Sequence, residues 1–230
     1  MFEACDRRNE AIASFWIANG VKLNARHPTE NQSILQLAVT RRWLTVIQQL
    51  IERGVKASYD GGRNESPLLQ AVREGASTAL IKMLIVDFNA DVDAVDGSAM
   101  GETALHLAVR LDRIELVRLL IQHQGFKGLE AQDERGFCPL HSAVSNGSSA
   151  MIGLLIISGA QLESRTLIGM TPLHLAVIEN REAAVQNLIM FGADMYAKDD
   201  HGSTPVDYAG MHKEIERILN NYMIFRQHQQ

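Results

Sequence analysis

The sequence predicts an all-α repeat solenoid, a fold in which short helix-turn-helix units stack on one another. A six-residue phrase recurs six times, written SILQLA, SPLLQA, TALHLA, CPLHSA, TPLHLA and TPVDYA and starting at residues 33, 66, 103, 138, 171 and 204. Successive starts are 33, 37, 35, 33 and 33 residues apart, and periods of about 20–50 residues indicate stacked repeats. Hydrophobic residues make up 46% of the 230-residue chain and aromatic residues only 6%. This composition suits a core of small interlocking aliphatic side chains.

Each phrase predicts the start of the first helix of a unit. In Thr171-Pro172, the hydroxyl accepts a hydrogen bond from an otherwise unpaired amide, and proline at the first helical position loses nothing by lacking its own N–H. Leu173 and Ala176 then share one helical face. The same chemistry recurs at Ser66-Pro67 and Thr204-Pro205.

A second helix follows a break at Glu179-Asn180, because Val185, Leu188 and Ile189 repeat at helical spacing. Glycine just past a helix end supplies the left-handed turn that other residues adopt with difficulty. Equivalent positions hold a glycine or an asparagine: Gly20, Gly54, Asn89, Gly159 and Gly192. The final helix is predicted to run from Lys213 to Phe225.

These residues resemble the ankyrin repeat family, and the resemblance covers nearly the whole chain. It implies that the extended stretches between units are short β-hairpins, whose tips line a concave surface together with the first helices. We predict a single domain over residues 1–230, with a truncated N-terminal unit (1–27, inferred from Ala4 and Gly20), five internal repeats (28–202) and a C-terminal capping unit with its tail (203–230). The longer steps add residues near 86–100 and 124–129, which are either neutral insertions or part of a binding surface.

The resemblance also assigns the histidines of the phrase. His106, His141 and His174 match the family's structural histidine, which implies hydrogen bonds to hairpin backbone. Gln36, Leu69 and Asp207 replace it elsewhere, and we expect those units to be held more loosely.

No pattern in the chain indicates catalysis or a cofactor. There is no HExxH, no CxxC, no GxGxxG after a strand and no GxxxxGK[ST], so we predict no catalytic residue, no metal site and no cofactor. A net charge of −5 and dispersed basic residues argue against nucleic acid, and no apolar run is long enough to insert into a membrane. Two cysteines, Cys5 and Cys138, and no signal peptide suit an intracellular protein, cytoplasmic or nuclear, which we expect to be a monomer.

By the same resemblance, variable surface positions precede each phrase, follow it, and lie at the hairpin tips. Apolar patches rimmed by charge are typical of protein-binding sites, where aromatic and Arg anchors dominate the binding energy. The residues predicted to bind a protein partner are Arg73, Arg110, Leu111, Phe137, Leu167, Ile168, Met170 and Ile178. The alternative is that some of these side chains pack against neighbouring hairpins, since scattered exposed apolar residues are normal.

The favoured function is a non-catalytic interaction scaffold or adaptor that binds a segment of an unidentified partner protein. Two alternatives stay open. The chain could be the targeting or regulatory arm of a larger enzyme or channel, or a microbial effector that engages host proteins. Fold alone does not choose between these, because one fold hosts unrelated functions.

Overall fold

The computed structural model describes residues 9–23, 26–29, 31–55, 66–95, 97 and 100–227. Ala4, Cys5 and residues 228–230 of the predicted tail lie outside the described residues. The chain divides into two compact parts, each containing several repeats. The first, called the first unit below, ends at Leu107, and the second unit begins at Ala108. A single domain over the whole length stays a prediction.

The described residues form thirteen α-helices and one short 3-10 turn at Gly128–Glu130. In chain order the α-helices are α1 (Glu10–Ala18), α2 (Ile34–Arg41), α3 (Leu44–Glu52), α4 (Pro67–Arg73), α5 (Thr78–Val86), α6 (Ala104–Arg110), α7 (Ile114–Ile121), α8 (Pro139–Asn146), α9 (Ser149–Ile157), α10 (Pro172–Ile178), α11 (Glu182–Met190), α12 (Pro205–Ala209) and α13 (Lys213–Gln227). In place of long strands, the described part of the chain has isolated antiparallel bridges, Arg26 with Ser33 and Val95 with Thr103. The all-α repeat fold is therefore confirmed.

Helix starts follow the chemistry of the phrase. The side-chain oxygens of Ser33, Ser66, Thr171 and Thr204 each accept a hydrogen bond from the backbone N–H three residues later. Proline occupies the first turn of α4, α8, α10 and α12. Such caps stabilise a helix by about 1 kcal/mol each, so they fix where α2, α4, α10 and α12 begin.

Inside each of the two compact units, paired helices pack on each other and first helices pack on those of the adjacent repeat, as α2 does on α3 and α4. In the second unit α10 packs on α11, α8 and α12, and α11 also packs on α9 and α13. Val185, Leu188 and Ile189, which repeat at helical spacing, are buried on α11, and full burial of such side chains contributes about 1.5–3 kcal/mol each. Stability therefore comes from stacking rather than from any isolated helix.

Helix ends use left-handed backbone at the predicted positions, with φ of 103° at Gly159, 97° at Gly192 and 52° at Asn89. The final helix ends at Gln227, two residues beyond the predicted Phe225, and buries Ile215 and Leu219.

The added residues near 124–129 run into the 3-10 turn at Gly128–Glu130, whose Glu130 contacts the following repeat. Glu130 Oε1 accepts from Gln161 N over 2.9 Å, and its Oε2 accepts from Ser164 Oγ over 2.5 Å. The residues just after this insertion therefore tie two repeats together.

Candidate functional site

Three backbone turns connect the repeats of the second unit, at residues 133–137, 166–170 and 199–203. Each is closed by the same two backbone hydrogen bonds, for example Asp133 N to Phe137 O over 2.9 Å and Gly136 N to Asp133 O over 2.8 Å. The equivalent pairs at 166–170 and 199–203 span 2.9–3.0 Å. These turns are the hairpin tips that the resemblance implies.

A buried side chain at the first position of each turn holds the loop from inside. Asp133 Oδ1 accepts from Arg135 N over 2.8 Å and from Phe137 N over 2.9 Å. Asp199 Oδ1 accepts from the equivalent amides, both over 2.9 Å. Thr166 Oγ1 makes the same two contacts at 3.4 and 3.2 Å, so the middle turn is clamped by a neutral group at longer distances.

The two aspartates stay ionised because of these bonds. Burial raises the pKa of Asp133, but the hydrogen bonds from Phe137 N and from Arg135 lower it by more than burial raises it. The pKa of Asp133 therefore lies below its ordinary value. The pKa of Asp199 is also lowered, since the bonds from Tyr208, Ser203 and His201 outweigh burial. A carboxylate that accepts several N–H groups favours its charged form.

We therefore expect the turns to weaken in acid. A depressed folded pKa gives stability that is present above the unfolded pKa of about 3.9 and is lost as the pH falls through the folded pKa. The free energy of unfolding, measured between pH 2 and pH 6, should fall less steeply below pH 4 in Asp133→Asn than in the wild type. An equally steep fall in both proteins would contradict this assignment.

Successive turns stack through one backbone hydrogen bond each. Leu167 N donates to Arg135 O, and Asp200 N donates to Ile168 O, both over 3.3 Å. The glycines of the first two turns are each covered by the following turn: a Cβ on Gly136 would lie 2.5 Å from Leu167 N, and one on Gly169 would lie 2.8 Å from Asp200 N. A glycine is needed at both places.

Histidines link each first helix to the following turn. His141 Nε2 lies 3.2 Å from Met170 O, and His174 Nε2 lies 3.1 Å from Ser203 O. Each Nδ1 accepts from the backbone N–H of its own helix cap, over 3.3 Å at Cys138 and 3.1 Å at Thr171. His106 in the first unit makes the same cap contact, at 3.3 Å from Thr103 N.

Where histidine is replaced, part of this arrangement survives. Gln36 Oε1 accepts from Ser33 N, and Asp207 Oδ2 accepts from Thr204 N, both over 2.8 Å. Leu69 has no polar side-chain atom for this bond.

Cys138 and His141 lie within hydrogen-bonding distance, with Sγ 3.0 Å from Nδ1, which is the spacing of a Cys–His catalytic pair. Both residues are buried, however, and burial raises the pKa of the Cys138 thiol. An active nucleophile needs a lowered pKa. Thr171 and His174 have the same geometry, with Oγ1 2.8 Å from Nδ1, so the pair is a helix cap.

The predicted partner-binding residues differ in exposure. Leu167 is 68% exposed, Ile168 49% and Leu111 41%, whereas Phe137, Met170 and Ile178 are half-buried. Arg110 is exposed in the second unit, and Arg73 is exposed in the first. The structure thus brings Leu167 and Ile168 together on the middle turn, with Met170 closing it.

Phe137 is engaged within the fold. Its ring lies 5.4 Å from the His141 ring, and the Arg135 guanidinium lies 4.3 Å from its centre. Arg135 was not among the residues predicted from the sequence to bind a partner. The spacing Asp133-x-Arg135 could have indicated that Arg135 is held by its turn, because an aspartate at the start of a turn accepts hydrogen bonds from nearby backbone and side-chain donors.

The described residues hold no group of three or more His, Cys, Asp or Glu side chains arranged to bind a metal ion. Among the described helices, none combines the length and apolar character needed to cross a membrane.

Stacked helix pairs joined by exposed turns are typical of the class of α-helical repeat proteins. A sequence profile of ankyrin repeats in three copies matches residues 68–166, and a second ankyrin repeat profile matches residues 159–209. Together these matches cover more than half of the chain. The chain belongs to the ankyrin repeat family.

Solved and curated proteins agree with this assignment. The crystal structure of the ankyrin repeat domain of Bcl-3, a member of the IkappaB protein family, is similar with a TM-score of 0.79 and 25% identity, over 92% of each chain. Rabankyrin-5 of Mus musculus is 26% identical over 209 residues, 72% of this chain and 18% of its own length. Palmitoyltransferase AKR1 of Lachancea kluyveri is 28% identical over 158 residues, 68% of this chain and 21% of its own length. The chain spans about a fifth of the length of these two relatives.

Proposed function

We propose that this chain is a non-catalytic scaffold that binds a segment of a partner protein on the turn-and-first-helix face of its second unit. Ankyrin repeats are generally protein–protein interaction modules, and their fold is typically non-catalytic. The binding residues in the proposal are Arg110, Leu111, Phe137, Leu167, Ile168, Met170 and Ile178, with Arg73 on the equivalent face of the first unit. We further propose a monomer inside the cell, cytoplasmic or nuclear, that does not bind nucleic acid.

The exposed pair Leu167 and Ile168 carries this proposal. The flanking turns have polar tips, Glu134-Arg135 and Asp200-His201, so the middle turn presents two aliphatic side chains between charged neighbours. Removing a side chain of this size from water contributes about 1.5–3 kcal/mol when its burial is complete. Interfaces concentrate binding energy in a few such groups surrounded by a polar rim.

A second candidate function is a targeting arm of a larger enzyme. The similarity to a palmitoyltransferase, over 21% of that protein's length, favours it. Both candidates use the same binding face. The two candidates differ in whether the full-length transcript encodes a catalytic domain beside these repeats. Sequencing the full-length transcript distinguishes them.

The proposal predicts that Leu167→Glu with Ile168→Glu abolishes partner capture. The wild type and this double variant would be compared by affinity purification with mass spectrometry, and folding would be checked by circular dichroism. Both side chains are already exposed, so we expect the melting temperature to change little.

Ile157→Glu is the matched control. Ile157 is 78% exposed at the end of α9, a second helix, and therefore lies away from the turns. The Ile157→Glu variant should therefore capture the same partner proteins as the wild type. Partners retained by the folded double variant, or lost equally in the control, would overturn the proposed face.

A further inference from the structure

The Arg135 guanidinium is fixed by its own turn. Its Nε and Nη2 donate to Asp133 Oδ2 over 3.1 and 2.9 Å, and the Phe137 ring centre lies 4.3 Å from Cζ. The Asp133 side chain is 1% exposed, whereas the Arg135 side chain is 53% exposed. The inner edge of the guanidinium is therefore anchored, and its other edge meets solvent.

That outer edge keeps unused donors. A guanidinium has five N–H groups, of which Asp133 takes one from Nε and one from Nη2. Nη1 has no partner within the described residues. Nη1 and Nη2 together present two parallel N–H groups, the arrangement that binds a carboxylate through both of its oxygens.

An apolar surface adjoins this cation. Leu167 N donates to Arg135 O, so the exposed Leu167 and Ile168 follow directly on the neighbouring turn. A bound segment can therefore place an apolar side chain on the middle turn while an acidic side chain reaches Arg135.

The surrounding charges limit what binds. Asp133 is buried and already accepts from two backbone amides and from Arg135, so its charge is well compensated. Glu134 and Asp200 are exposed on adjoining tips and repel a strongly acidic segment. One carboxylate beside an apolar residue fits this pattern better than a run of acids.

We propose that the turns at 133–137 and 166–170 recognise a protein segment that pairs an apolar side chain with one Asp or Glu, whose carboxylate binds the outer edge of Arg135. This inference rests on the proposed function and specifies the chemistry of its partner. Arg135 determines specificity, while Leu167 and Ile168 supply the apolar contact.

The test begins with a random peptide library displayed against the full chain, with Leu167→Glu/Ile168→Glu used for counter-selection. Selected peptides should contain an apolar residue near an Asp or Glu. One such peptide and its Asn or Gln counterpart are then titrated by fluorescence anisotropy. The acidic peptide should bind about 10- to 100-fold more tightly than the amide, as expected for a hydrogen bond to a charged group.

Variants at the tip separate direct recognition from general electrostatics. Arg135→Lys keeps the charge but lacks the planar fork, and it should abolish most of the preference for the acidic peptide, as should Arg135→Gln. Glu134→Gln should bind the acidic peptide unchanged or up to about 5-fold more tightly. Circular dichroism of each variant checks the fold.

The possible failures are distinguishable. Peptides that depend on Leu167 and Ile168 but show no acidic preference overturn this inference and leave the proposed function standing. An undiminished acidic preference in folded Arg135→Lys and Arg135→Gln overturns it too. If no selected peptide depends on Leu167 and Ile168, the proposed binding face is itself wrong.

Discussion

Gly169→Ala should destabilise this protein by about 2–5 kcal/mol, well beyond the usual cost of a surface substitution. Gly169 has φ of 72°, a backbone conformation that costs residues with a Cβ about 1–2 kcal/mol. Its added Cβ would also lie 2.8 Å from Asp200 N, so the 199–203 turn has to move away. Overpacking of this kind adds about 1–3 kcal/mol.

Gly202→Ala is the control that separates the cost of overpacking from the cost of the backbone conformation. Gly202 has φ of 79°, but a Cβ there would meet nothing within 4 Å. It should cost only the conformational term of about 1–2 kcal/mol. Urea unfolding of both variants, followed by circular dichroism, gives the comparison. Equal losses would mean that the turns do not depend on close stacking.

The helices could be predicted from the sequence because their signals are local. A hydroxyl followed by proline fixes the start of α4, α10 and α12, and the spacing of Val185, Leu188 and Ile189 identifies the buried face of α11. Such caps and periodicities act over a few residues, so a single repeat is enough to read them.

The candidate site was harder to predict because exposure depends on contacts between repeats. Phe137 and Leu167 are both apolar and both lie near turns, yet Phe137 packs on His141 while Leu167 is largely exposed. The role of Arg135 arises from a buried aspartate two residues earlier. Sequence gives the spacing of that pair, but the burial of Asp133 follows only from the folded turn.

The cap histidines yield the second large prediction, a graded loss of stability at residue 174. Because Nδ1 of His174 accepts from Thr171 N, Nε2 carries the proton and donates to Ser203 O. His174 is fully buried, and losing the cap bond leaves the Thr171 amide unpaired at a cost of about 1–3 kcal/mol. Ser203 O keeps its bond from Asp199 N, so losing the second bond costs about 0.5–1.5 kcal/mol. His174→Leu, which copies Leu69, loses both bonds and should cost about 1.5–4.5 kcal/mol.

His174→Gln distinguishes the two bonds, because Gln36 shows that glutamine can accept from the cap amide. It should retain the cap and lose the bond to Ser203, for a cost of about 0.5–1.5 kcal/mol. Hydrogen exchange of the 199–203 turn should then accelerate in both variants, whereas exchange at the start of α10 should accelerate only in His174→Leu. If both variants lose the same stability and expose the same amides, the cap bond contributes nothing, and the histidine serves solely to join one repeat to the next.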